Sequence, residues 1–195
     1  MVKKRKKTPN ATSRGKTSFV VLGLLTIEPM SGYAICEMIK NYIGHFWSES
    51  FGQIYPTLEK LLRQNLITIK KSSVGKRPKN IYSITNEGIK YLQQWLSETG
   101  VEKHSHRDEE LLKLFFGKNS TFSKLSQLIK TRKKRCKQTF TCYKIILKTI
   151  EKHKQSKHYL FWLMTLQNGM AHAKAEINWC HSILRTIAKL NGTNH

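Results

Sequence analysis

Acid is scarce in this sequence. Asp and Glu total 12 against 35 Lys and Arg, leaving the 195-residue chain with a formal net charge of +23. No acid precedes Glu28, and none falls between Glu59 and Glu87. The few carboxylates form no hydrolytic pair, and no H-E-x-x-H, G-x-S-x-G or P-loop pattern occurs, so an enzyme has no residue to rest on. Cysteine is sparse too. Cys36, Cys136, Cys142 and Cys180 make no C-x-x-C pair, and they read as small apolar fillers rather than disulfides or a zinc knuckle. Long apolar runs are missing. Val20 to Ile27 is far shorter than the roughly 20 residues a membrane span needs. The basic N-terminus is not followed by a signal-peptide apolar region, so a cytoplasmic protein with no membrane partner is expected. His172, Glu176 and Cys180 stand at i, i+4, i+8, a spacing that allows a metal. Cys180 belongs to an apolar seam, however, and neither metal nor cofactor is expected.

The charge surplus calls for a polyanionic partner, and nucleic acid fits better than a membrane surface. Residues 1–16 hold seven bases and no acid, and are expected to be a disordered basic tail. In Ser50 to Leu66, Ile54, Leu58, Leu61 and Leu62 recur at helical spacing. Gln53, Thr57, Lys60 and Arg63 fall away from that stripe, and Pro56 is expected in the first helical turn. This is the plan of a recognition helix, its N-terminal end turned to DNA. Thr17–Thr26 and a segment opened by Ser31-Gly32 predict two helices before it. Leu66–Lys71 and Asn80–Thr85 alternate as strands around a basic tip, Lys76-Arg77-Pro78-Lys79. Three helices and a two-stranded hairpin make a winged helix-turn-helix.

Ser31-Gly32-Tyr33, Phe46-Trp47, Gln53-Ile54-Tyr55-Pro56, Leu66-Ile67 and Tyr82-Ser83-Ile84-Thr85 with Gly88 resemble the PadR family of transcriptional regulators. The order and spacing agree over roughly residues 18 to 98. The resemblance implies base-edge contacts from Gln53 and Tyr55. Tyr33, Ser50, Lys60, Lys76, Arg77 and Lys79 are expected to hold phosphates or carry the wing into the minor groove. Some members of that family release DNA on binding phenolic acids or flat drugs. A small aromatic effector therefore enters as an expectation, with Phe46, Trp47, Trp95, His158 and Trp162 as its candidate residues. The competing reading of these rings, with Tyr159 and Trp179, is core and interface packing.

Beyond a polar linker, Asp108-Glu109-Glu110 opens a short helix carrying Leu111, Leu112, Leu114, Phe115 and Phe116, and Ser120 or Thr121 caps a long one. Ile129, Arg132, Cys136, Thr139, Tyr143, Ile146 and Ile150 step alternately by three and four. So do Leu163, Leu166, Met170, Ala173, Ile177, Cys180, Leu184 and Ile187. Seams of period 3.5 seek partner helices. Leu163, Met170, Ile177, Cys180 and Leu184 are expected at a homodimer interface. Asp108–Phe116 and Leu166–Trp179 also resemble the C-terminal dimerisation region of one PadR branch. The chain thus reads as a mainly α protein: a tail at 1–16, a winged helix-turn-helix at 17–100, a linker and short helix at 101–120, and a helical dimerisation and effector domain at 121–190. Its expected role is a homodimeric repressor on a palindromic operator in double-stranded DNA. A non-specific nucleic-acid-packaging protein is the alternative. It fits the charge, but the chain lacks RRM, KH and aromatic-platform motifs.

Overall fold

The computed structural model describes residues 13–44, 46–47, 51–72, 79–100 and 107–193. The chain divides into two compact units, Met1–Val101 and Glu102–His195. In the first, helix α1 (Ser13–Leu25) leads to a short strand β1 (Met30–Ser31), helix α2 (Gly32–Met38), a π-helical turn (Ile39–Ile43) and helix α3 (Phe51–Arg63). Strands β2 (Ile67–Ser72) and β3 (Lys79–Ile84) precede helix α4 (Asn86–Ser97). Val21, Leu22 and Leu25 of α1 and Ile35 of α2 are buried in one core with Ile54, Leu58 and Leu61 of α3. Ser31 caps α2 by accepting from the Ala34 N–H at 3.2 Å.

The first unit is a winged helix-turn-helix, with three local departures from the expected one. Helix α1 begins at Ser13, so the last residues assigned to the basic tail are helical. Thr17 and Ser18 are buried, and extending a helix backwards from an anchored turn costs little once it is nucleated. The wing belongs to a three-stranded sheet in the order β1-β3-β2. Met30 pairs with Tyr82, and Ile67 with Ile84, both antiparallel. The two residues after Pro29 thereby occupy the otherwise open edge of β3 while burying the Met30 side chain. Pro56, finally, lies in the second turn of α3, not the first. It withholds the N–H that the Gly52 carbonyl would otherwise accept. Gly52 is exposed, so water can serve that oxygen. The next carbonyl, of Gln53, accepts from Thr57 Oγ1 at 2.7 Å.

The end of α3 is fixed tightly. Asn65 has a φ of 56°. Its N–H donates to the Leu62 carbonyl and that of Leu66 to the Leu61 carbonyl, both at 3.0 Å, which is a Schellman closure. Thr85 Oγ1 donates to the Asn65 carbonyl at 2.9 Å and accepts from the Gly88 N–H at 3.0 Å. One hydroxyl thus joins the end of α3 to the start of α4. At Gly88 a Cβ would sit 2.2 Å from the Leu66 carbonyl oxygen, so the junction needs glycine.

In the second unit, helix α5 (Glu109–Phe115) and a 3-10 turn (Gly117–Asn119) precede the long helices α6 (Phe122–Glu151) and α7 (Tyr159–Thr193). Asp108 caps α5 through the Leu111 N–H at 3.0 Å, and Thr121 caps α6 through the Lys124 N–H at 3.3 Å. Lys133 lies beside His181, Arg132 beside Glu176 and Tyr143 beside Gly169, so α6 and α7 run antiparallel. Leu166, Ala173, Cys180 and Ile187, one every seventh residue, are buried. They pack in clusters with Leu125 and Ile129, and with Tyr143 and Ile150, of α6. That line of the expected subunit seam is used within the chain. Cys180, expected at the dimer interface, is fully buried there and has no surface left to offer a partner.

Candidate functional site

The outward face of α3 follows from its inward one. With Ile54, Leu58 and Leu61 committed to the core, Tyr55 and Lys60 are exposed and Gln53 is half-buried. Gln53 and Lys60 are seven residues apart and so share a face. Tyr55 is 51% exposed. Its ring lies over Gly32, where a Cβ would come within 2.8 Å of Tyr55 Cε1. A bare glycine at the start of α2 therefore lets the tyrosine of α3 lie against it. The neighbouring Tyr33 is 68% exposed. The Ser31-Gly32-Tyr33 and Gln53-Ile54-Tyr55 motifs, far apart in sequence, meet at this contact.

The strands of the wing supply charge. Lys79 is exposed at the start of β3, opposite Ser72, and Lys70 and Lys71 are exposed on β2. None of these three, nor Lys60, has a carboxylate partner among the described residues. Ser50, Lys76 and Arg77 lie outside the described residues. Lys70 and Lys71 were not among the expected contacts, although the acid-free stretch from Glu59 to Glu87 already pointed to them. Glu59 was passed over as well. It is exposed one turn beyond Tyr55, and a carboxylate there can accept from a cytosine amino group or repel a phosphate.

The candidate effector residues are divided between the two units: Phe46, Trp47 and Trp95 belong to the first, His158 and Trp162 to the second. Trp95 stacks on Phe19 with ring centroids 4.5 Å apart, and Tyr91 stacks on the same Phe19 ring at 5.2 Å. Trp179 lies beneath the Arg132 guanidinium at 5.4 Å. These rings are taken up by packing within their own units. Phe46 is exposed and Trp47 half-buried on the connection before α3. His158 and Trp162 do come together, stacked at 5.7 Å. His158 Nε2 is buried without a hydrogen-bond partner among the described residues, and an imidazole nitrogen can donate or accept according to its tautomer.

Arg132 is the electrostatic centre of the second unit. It donates to Asp108 Oδ2 at 2.6 Å, Glu110 Oε2 at 3.0 Å and Glu176 Oε2 at 2.8 Å. Hydrogen bonding to Glu176, with a further contribution from Asp108, holds the guanidinium well above its ordinary range. Arg135 donates to Glu110 at 2.6 Å. The three helices of the unit are thereby tied together, and Glu176 is committed to an arginine rather than a metal set. Apolar side chains elsewhere in the unit are left exposed: Leu112, Phe115 and Phe116 on and after α5, and Leu160, Phe161 and Met164 at the start of α7. Leu163, Met170, Ile177 and Leu184 are half-buried. No helix among the described residues is long and apolar enough to cross a membrane.

Two family descriptions match the chain: the transcriptional regulator PadR-like family over residues 21–94, and the virulence activator alpha C-terminal region over residues 106–188. The negative transcriptional regulator PadR of Bacillus subtilis is 29% identical over 176 residues, covering 88% of this chain and 97% of that one. Its crystal structure in complex with operator DNA superposes with a TM-score of 0.76 at 28% identity, over 87% of this chain and 98% of that one. Its complex with p-coumaric acid gives a TM-score of 0.75 at 26% identity, over 93% and 98%. The PadR-like regulator BC1756 of Bacillus cereus is 30% identical, with a TM-score of 0.73, over 89% of this chain and 99% of that one.

Proposed function

The chain belongs to the PadR-like family of transcriptional regulators, and on that premise we propose that it is a homodimeric repressor that reads a palindromic operator and is released by a small aromatic acid. The observation that carries this reading is the face of α3: Tyr55 seated on Gly32 next to the exposed Tyr33, with Lys60 exposed further along a helix whose other side is core. Gln53 and Tyr55 are the base-edge residues. Tyr33, Ser50, Lys60, Lys76, Arg77 and Lys79 hold the backbone, joined by Lys70 and Lys71. A two-fold dimer offers two such helices to half-sites one helical turn apart.

Selection of bound duplexes from a random pool tests this reading, and an inverted repeat is the expected product. On that duplex Gln53→Ala is expected to weaken binding by about 1–3 kcal/mol, with much less effect on random DNA and little change in salt dependence. An operator-to-random ratio unchanged by Gln53→Ala would shift the reading away from α3.

The effector part of the proposal rests on the His158–Trp162 stack, whose ring nitrogen is buried and has no partner among the described residues. It is supported by the relative solved with p-coumaric acid. Added p-coumaric acid is expected to quench tryptophan fluorescence and to lower operator affinity together, since an inducer must favour the arrangement that does not bind DNA. Quenching without loss of operator binding would remove the inducer role.

A further inference from the structure

The second unit carries a basic surface that the DNA-reading helix does not explain. Helix α6 holds a single acid, Glu151, at its last residue. Its lysines at 130, 133, 134 and 137 follow helical spacing and line one shallow groove of about 580 Å³ with Gln138 and Thr141. From Lys130 to Lys137 the rise is about 10 Å. Helix α7 adds a second row to the same surface. Lys133 Nζ lies 3.4 Å from His181 Nδ1. Arg185 stands four residues beyond His181 on α7 and so shares its face, and the charge of Lys133, more than any other cause, holds the His181 imidazole below its ordinary range.

Nothing among the described residues of the unit neutralises this surface. Among the described residues, Asp108, Glu110 and Glu176 are engaged by Arg132, and Glu109 by Lys113 at 2.6 Å. Lys130, Lys133, Lys134 and Lys137 have no carboxylate partner among those residues. Concentrated like charge at no internal benefit needs a polyanion to offset it. A second copy of so basic a chain offers little acid. An anionic membrane would call for a large apolar flank, whereas the groove adds only Gln138, Thr141 and Cys142 to the lysines. Amide and hydroxyl groups among lysines suit phosphate oxygens. Along one DNA strand a charge recurs about every 3.4 Å of axis, so a stripe of about 10 Å spans some three phosphates.

We propose that the Lys130–Lys137 face of α6, with His181 and Arg185 of α7, binds the sugar-phosphate backbone of DNA, giving the helical unit a sequence-independent grip separate from the readout by α3. This rests on the reading of the chain as an operator-binding protein, and the test separates the two. The full-length chain is titrated over a range of salt concentrations with the selected operator duplex, and with the same operator extended by random sequence on both sides. The operator supports the basic reading if it is bound in preference to a scrambled duplex of equal length. On the extended duplex Lys133→Gln with Lys137→Gln is expected to lower the slope of log affinity against log salt by about four for the dimer, two for each subunit, without changing preference for operator over scrambled sequence. The thermal melt should be unaltered. A slope equal to that of the unaltered chain on both duplexes, with operator preference intact, overturns the inference and leaves the family reading standing. Loss of binding to phosphatidylglycerol vesicles in the variant, with DNA slopes unchanged, also overturns it and assigns the face to lipid.

Discussion

Replacing Arg132 with methionine is expected to lower the unfolding free energy by about 3–5 kcal/mol at neutral pH, measured by urea denaturation. The Arg132 side chain is only 9% exposed and lies within 3.0 Å of oxygens from Asp108, Glu110 and Glu176. Methionine fills much of the volume but leaves three carboxylates facing one another. Only Arg135, itself well exposed, remains beside Glu110. Trp179 also loses its cation. The pH dependence follows from Asp108, whose carboxyl is held below the usual range first by the Leu111 N–H and next by Arg132. A carboxyl depressed in the folded state contributes stability above its unfolded value, near 3.9, and that contribution is lost as pH falls through the folded value. The gap between the natural chain and Arg132→Met should therefore be widest near neutrality and shrink below about pH 4. Adding Asp108→Asn and Glu176→Gln to the variant should recover part of the loss at neutral pH, because the carboxylates no longer repel. A difference under about 1 kcal/mol at pH 7 would mean that the network orients α5 without stabilising the unit.

That network shows where the sequence could be read and where it could not. Asp108, Glu109 and Glu110 were legible as an acidic first turn. The structure makes Asp108 the cap, through the Leu111 N–H, and leaves only Glu109 and Glu110 in the turn; Asp108 and Glu110 also serve an arginine more than twenty residues away. Arg132 was visible as a polar residue inside an apolar seam, but its partners lie at the start of α5 and on α7, two segments that only the fold brings to it. The buried stripe of α3 was legible because Ile54, Leu58 and Leu61 repeat at the helical period, and that period also set Lys60 and Arg63 outward, whereas Thr57, expected away from the stripe, is buried with its hydroxyl on the Gln53 carbonyl. β1 was not legible. Two residues have no alternation to detect, and their pairing with Ile81 and Tyr82 is non-local. The π-helical turn at Ile39–Ile43 gave no signal either, since its apolar spacing reads as ordinary helix. The 3.5-residue seam of α7 stated that the helix wants a helical neighbour without saying whose. Leu166, Ala173, Cys180 and Ile187 find theirs in α6, and the residues displaced from that line are what remains for another chain.

A second copy of the chain is the occupant we propose for those remaining apolar side chains, and Leu160→Glu with Met164→Glu is expected to turn the dimer into a folded monomer. The two positions stand at i and i+4 on α7, so they share a face. They are 64% and 55% exposed within the chain. Glutamate there disturbs little in the isolated unit, whereas Ile177 and Leu184 are half-buried against their own chain and would confuse unfolding with dissociation. In a dimer each buried leucine or methionine contributes about 1.5–3 kcal/mol of apolar transfer, and a carboxylate in its place must also be desolvated. Because both subunits change, the loss is doubled across a two-fold interface. Sedimentation at micromolar concentration should report half the mass, with helical circular dichroism unchanged. Operator affinity should fall by a factor of about 10² to 10⁴, since the second recognition helix is no longer delivered at the effective concentration that linkage provides. Affinity for an isolated half-site should barely change. A variant that still sediments as a dimer would move the interface elsewhere, to Phe115 and Phe116 at the end of α5 in the first instance, where the rings are 82% and 56% exposed.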